Sequence, residues 1–237
     1  MPLKAVLFDL DDTLVDHQYS SRTALAAIQT RYDCFRHVPF AELDRQHREL
    51  LERYHLNVLD GSMTLDEARM ERFRQLFLRY GESISQTTAQ EVTTLYRQSY
   101  LGAERPVAGA IALLERIRAH HLKIGIVTNS TVEEQIGKVK RLKLEGLFDA
   151  LIISEAVGVP KPDPRIFDAA LQQLGCACHE VVMVGDSWSA DIMGARAANI
   201  RAIWLNRYGV ACPDSALARE ISALEPLDEV ADFILHP

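Results

Sequence analysis

The chain has 237 residues, 48% apolar and 25% charged, with a formal net charge of −7 and a pI near 5.6. This is ordinary for a soluble globular protein with enough apolar residues for a sizeable core, and at roughly 100–200 residues per domain it predicts one large domain, or one domain with an insert. An acidic balance argues against a nucleic-acid partner, which needs a basic face, and no run of about 18 apolar residues reads as a membrane span.

The first residues, Met1 to Phe8, are apolar apart from Lys4 but too few for a secretory signal, and no small-residue cleavage site follows. A cytoplasmic location is the expectation, with the four cysteines as free thiols. Cys176, Cys178 and His179 lie close together but lack further ligands for a zinc site, and read as a helix-to-strand turn.

Residues 4–8 read as a short buried strand, stopped by Asp9, Asp11 and Asp12. Residues 17–104 then turn rich in Arg, Glu, Gln, Leu and Ala, and predict amphipathic helices over 20–31, 40–54 and 64–80. Thr64 with Glu67 forms a capping-box pattern at the third of these, and Gly81 stops it. From Pro106 onward helix and strand alternate. Helices are predicted over 108–120, 131–142, 164–174 and 189–198, and strands over 122–128, 150–153, 181–184 and 200–205. Such alternation predicts an α/β, doubly wound parallel sheet covered on both faces, which binds ligands beyond the carboxyl ends of its strands. The expected division is a core of residues 1–16 and 105–237, with a helical insert at 17–104.

Polar clusters stand where those strands end. Asp9-Leu10-Asp11-Asp12-Thr13 follows the first strand and Thr128-Asn129-Ser130 ends the second. Lys161 lies between Pro160 and Pro162 after the third, and Gly185-Asp186 through Asp191 follows the fourth. Each alone could be a solvated turn. Together at one rim they make coincidence a poor account, and so many carboxylates in one place would repel each other without a cation.

These motifs, in this order, resemble the haloacid dehalogenase-like (HAD) superfamily of phosphohydrolases, and the insert is similar to that family's C1-type cap. The resemblance implies Asp9 as nucleophile, Asp11 as general acid and base, and Thr128, Asn129 and Lys161 as phosphoryl contacts. It also implies Mg²⁺ held by Asp9, Asp186 and Asp191, with the backbone carbonyl of Asp11. The acid at Asp11 favours phosphate-ester chemistry over dehalogenation. A phosphoglucomutase-like transferase and an inactive binding scaffold are the alternatives.

A finer resemblance, over Lys123–Asn129, Ile153–Pro162 and Val184–Ile192, is to the branch of pyrimidine 5′-nucleotidases and N-acylneuraminate-9-phosphatases. It implies a small phosphorylated metabolite, a nucleotide or sugar phosphate, as substrate. Within the insert, His17, Arg22, Arg69 and Arg72 are the candidate leaving-group contacts, although a solvated or salt-bridged surface position is the first expectation for each. Trp188 either lines the site or packs. Oligomeric state is not legible.

Overall fold

Strand β1 (Ala5–Phe8) is buried along its whole length in a computed structural model that describes residues 2–236. Its alternate residues face opposite ways. Val6 and Phe8 enter one apolar cluster, and Ala5 and Leu7 enter the other. Both faces are thus dry, which is why the run carries no polar alternation.

The described chain forms two compact units, one of Met1–Asp16 with Arg105–Pro237 and the other of His17–Glu104. The helical unit comprises α1 (His17–Arg31), α2 (Phe40–Leu59), α3 (Leu65–Arg79) and α4 (Gln86–Gly102). Leu25, Ile28, Leu43, Leu50, Phe73, Leu76, Val92 and Tyr96 form its own apolar centre. The Thr64–Glu67 capping box is present at α3, and Gly81, with φ of 81°, follows that helix. α4 is missing from the sequence reading. Its stripe of Val92, Tyr96 and Tyr100 is spaced one turn apart but lies among Thr, Gln and Ser, which weaken the apolar signal.

The second unit continues with α5 (Ala110–Ala119), β2 (Lys123–Thr128), α6 (Val132–Arg141), β3 (Ala150–Ile153), the short α7 (Ser154–Val157) and α8 (Pro164–Leu174). Then come β4 (Val181–Gly185), α9 (Met193–Ala197), β5 (Arg201–Leu205), β6 (Arg219–Ile221) and α10 (Leu227–Leu235). All strands pair in parallel, in the order β3-β2-β1-β4-β5-β6. Helices α5, α6 and α10 cover one face through Leu113, Ile117, Val139 and Ile234, and α8 and α9 cover the other through Ile166, Phe167 and Ala195. The fold is the doubly wound α/β architecture expected. β6 went unread because Arg219 and Glu220 are exposed and carry no apolar run.

The strand order puts β2 and β4 on either side of β1, so the chain winds outward in both directions from β1, and the crevice at its carboxyl end is where such sheets bind ligands. Where the chain leaves and re-enters this unit, Asp16 is buried and pairs with Arg105 at 2.7 Å and Arg207 at 3.0 Å.

The cap on α3 is testable in isolation. Thr64→Ala removes the hydroxyl that accepts from the Glu67 amide and is expected to destabilise the helical unit by about 1 kcal/mol. Urea unfolding followed by helical circular dichroism is the measurement, with Thr64→Ser expected to retain most of the lost stability.

Candidate active site

Asp9 continues β1 by one residue, its amide donating to the Val184 carbonyl at 3.0 Å. The chain then doubles back. Asp12 takes a left-handed φ of 61°, which Asp tolerates better than most residues. The amides of Leu14 and Val15 both donate to the Leu10 carbonyl, at 2.9 and 2.8 Å. This turn buries Thr13 completely. The Thr13 hydroxyl accepts from the Asp186 amide at 3.2 Å and donates to the Asp186 carboxylate at 3.3 Å, fastening the loop after β1 to the loop after β4.

Lys161 lies at the centre of the cluster. Its ammonium donates to Asp9 at 2.5 Å, to Asp191 at 2.6 Å and to the Val127 carbonyl at 2.7 Å, using all three hydrogens. The loop carrying it is held by the Asn129 side chain, whose amide donates to the Lys161 carbonyl at 2.9 Å and whose oxygen accepts from the Lys161 amide at 2.7 Å. Asp191 arrives through one wide turn over Trp188–Ile192, in which the Asp191 and Ile192 amides both donate to the Ser187 carbonyl. A side chain at Gly185 could not coexist with this, since a Cβ there would lie 2.4 Å from the Asp191 carboxyl carbon.

Oxygens of Asp9, Asp186 and Asp191 lie within 4.8 Å of one another. Burial raises the Asp9 carboxyl to about 7, Lys161 opposing the rise and Asp191 adding to it. Burial, then the charges of Asp9 and Asp191, push Asp186 well above the ordinary carboxylate range. For Lys161 burial acts to lower the ammonium, but Asp191 and Asp9 outweigh it and raise it. Hard carboxylate oxygens converging in this way suit Mg²⁺, which selects oxygen donors. Fully ionised, the cluster carries −3 from the three acids and +1 from Lys161, or −2, the charge that one divalent cation neutralises.

Asp11 is turned elsewhere. Its carboxylate is not among those three. It receives the Lys138 ammonium and, at 2.9 Å, the Gln135 amide, whose other hydrogen goes to the Thr128 hydroxyl at 2.9 Å. Gln135 and Lys138 stand three residues apart on α6 and are both buried. The sequence reading missed both, as it missed the side-chain roles of Thr13 and Asn129. The available signal was two polar residues on the same face of the helix that starts just after Thr128.

Of the other candidates, Trp188 packs edge-on against Trp204 at 5.2 Å, and Trp204 donates to the Asp186 carbonyl at 2.8 Å. Within the helical unit, Arg22 pairs with Asp44 at 2.6 Å, Arg69 with Asp66 at 3.2 Å, and His17 bonds the Tyr100 hydroxyl at 2.7 Å. Arg72 corrects the surface expectation. It is buried, because it shares a face of α3 with buried Ala68 and Leu76, one turn to either side.

Known proteins share the sequence and fold of this chain. The family model for haloacid dehalogenase-like hydrolases matches residues 3–199. The chain is 30% identical over 213 residues to the glyceraldehyde 3-phosphate phosphatase of Pyrococcus abyssi, covering 87% of this chain and 82% of that one. It is 40% identical over 127 residues to the pyrimidine 5′-nucleotidase YjjG of Escherichia coli, a match spanning 53% of this chain and 56% of that relative. The crystal structure of the magnesium-bound HAD-hydrolase YfnB from Bacillus subtilis superimposes with a TM-score of 0.76 at 23% identity, over 98% of this chain and 100% of that one. This chain belongs to the haloacid dehalogenase-like hydrolases.

A pH dependence follows from Asp9. Its folded carboxyl titrates near 7 against an ordinary 3.8, so the folded state holds a proton that the unfolded state has released. Stability is full below the lower value and is lost as pH rises through the higher. Melting of the metal-free protein is expected to fall in temperature between about pH 4 and 7, the interval between those two values. The stabilisation by added Mg²⁺ is expected to grow over the same interval, because the metal needs the ionised carboxylates. Asp9→Asn should flatten the metal-free curve in scanning calorimetry, and an equally steep curve in that variant contradicts the assignment to Asp9.

Proposed function

We propose that this chain hydrolyses phosphomonoesters of small metabolites, nucleotides or sugar phosphates, through an aspartyl-phosphate intermediate on Asp9 and with Mg²⁺ as cofactor. The chain is a phosphatase of its family. The observation that carries the finer reading is the cluster of Asp9, Asp186 and Asp191, two of which share the single Lys161 ammonium. Its excess of negative charge calls for a divalent cation, and its position beyond β1 suits a phosphate-sized ligand.

In this reading the Asp9 carboxylate attacks phosphorus in line with the departing oxygen, forming an acyl phosphate and breaking the ester P–O bond. Asp11 gives the leaving alkoxide its proton, then takes one from the water that hydrolyses the acyl phosphate. The Thr128 hydroxyl and the Asn129 backbone amide donate to phosphoryl oxygens, and Lys161 offsets the charge of Asp9 and phosphate. When bound to Asp9, Asp186, Asp191 and the Asp11 carbonyl, Mg²⁺ supplies charge neutralisation for the phosphoryl oxygens.

Gln135 and Lys138 act on Asp11 as positioning residues. They hold its carboxylate by hydrogen bonds from one side, and Gln135 couples its position to that of Thr128. Residues 17–104 serve as a cap domain that sets leaving-group preference. The substrate class is supported by the resemblance of the core segments to nucleotidases and by relatives named as phosphatases of a triose phosphate and of pyrimidine nucleotides.

Asp9→Asn is expected to abolish phosphate release, since an amide is a poor nucleophile. Full activity of the purified variant rules the mechanism out. Asp11→Asn should slow turnover by about 10²–10⁴ on alkyl phosphates, whose leaving groups need a proton. It should slow p-nitrophenyl phosphate much less, because that leaving group departs as a stable anion. Steady-state assays with and without Mg²⁺ measure both effects, and equal losses on the two substrate types remove the acid role from Asp11.

A further inference from the structure

Inside the helical unit one buried cation has no anion. Arg72 on α3 is 6% exposed, and among the described residues it makes no hydrogen bond or ion pair, its Nε being fully enclosed without a partner. What it touches is aromatic. The guanidinium carbon lies 5.0 Å from the ring centres of both Phe73 and Tyr96. Such contacts recover only part of the cost of taking a guanidinium out of water.

His47 on α2 stands beside it, wholly buried, with neither ring nitrogen hydrogen-bonded. Its ring stacks on Phe73 at 5.8 Å and tilts against Tyr96 at 5.2 Å, so the two orphaned polar groups share one aromatic wall. Burial, then the Arg72 charge, holds His47 well below its ordinary value, leaving a neutral imidazole with one N–H to donate.

Among the described residues no carboxylate hydrogen-bonds or ion-pairs with either group. The charged residue acting on Arg72 is Arg69, beside the hydroxyls of Tyr96 and Tyr100, and those acting on His47 are Arg72, His17 and Arg48. Asp44, the buried acid of α2, is engaged by Arg22 at 2.6 Å and Arg48 at 3.5 Å through one oxygen, its other oxygen being unpaired. Ser21 takes the Tyr96 hydroxyl at 2.8 Å. Unsatisfied buried polar groups are rare in native proteins and call for an explanation, and two adjacent ones that are both donors point to a missing acceptor.

We propose that Arg72 and His47 form an oxyanion site within the helical unit, taking a carboxylate or a tetrahedral oxyanion through the guanidinium and the imidazole N–H. The planar fork of Arg matches two oxygens of such a group. The oxyanion is either a free ion or a second acidic group on the substrate. The site is defined within residues 17–104 alone, and only its substrate form rests on the phosphatase reading.

The test uses the full-length, metal-free chain and malonate as probe, against chloride at equal ionic strength. In ¹⁵N-labelled protein the Arg72 Nε–H resonance should move saturably with malonate, and the melting temperature should rise saturably with it. Arg72→Met should weaken the thermal response tenfold or more, and His47→Phe should weaken it too. If Arg72→Met does not fold, the wild-type resonance titration decides alone. Kinetics then separate the sources. A KM raised tenfold or more by Arg72→Met for phosphomonoesters bearing a second acid group, but not for p-nitrophenyl phosphate, assigns the site to the substrate. Unchanged KM values with a lost thermal response assign it to a free ion. No resonance shift and no thermal gain in the wild-type chain overturn the proposal, as does a thermal response that survives intact in Arg72→Met.

Discussion

The Lys161 ammonium is the constraint on which the arrangement of the rim depends. It sits in a nearly dry place and is held there by Asp9, Asp191 and the Val127 carbonyl. Those partners come from the ends of β1 and β2 and from the wide turn after β4, while Lys161 itself follows β3. A buried ammonium is costly unless its hydrogens are all used and its charge is matched. Matching it fixes four loops relative to one another, and leaves the carboxylates in excess.

Much of the surrounding detail maintains that single placement. Asn129 clips the backbone of Lys161 in both directions, donor to carbonyl and acceptor to amide. Gly185 leaves the volume that the Asp191 carboxyl fills. Thr13 ties the turn after Asp9 to Asp186. None of these three residues needs to touch a ligand to matter. Each reduces the freedom of a group that would, and a preorganised polar site avoids the reorganisation that water would otherwise undergo.

The helical unit follows a different economy. Its centre is aromatic and aliphatic, with Phe35, Phe73, Phe77 and Tyr96 meeting edge-on or tilted. Arg72 and His47 interrupt that centre. Away from the rim, other buried charges have partners, as Asp16 has Arg105 and Arg207 and Lys138 has Asp11. The contrast makes the Arg72–His47 pair stand out as unfinished chemistry rather than as packing.

By itself the sequence determined the alternating elements of the sheet, because strands dry on both faces must be short apolar runs, and helices between them must show one apolar stripe. It also marked the strand-end clusters, since Thr128 ends such a run, Asp9 and Asp186 follow one directly, and Lys161 comes eight residues after another. It could not show that Asp11 faces Lys138 and Gln135, because their meeting depends on how α6 lies against the turn after β1. Nor could it show Asn129 holding the Lys161 loop, a contact across 32 residues. α4 and β6 escaped because their polar residues hide the periodicity that burial creates. Arg72 reads as a surface residue by type, and only the packing of α2, α3 and α4 around a common centre made it a buried one. Local pattern reports which residues can be buried, while the partners of a buried polar group are chosen by the three-dimensional fold, where hydrogen-bond geometry and charge matching act across the chain.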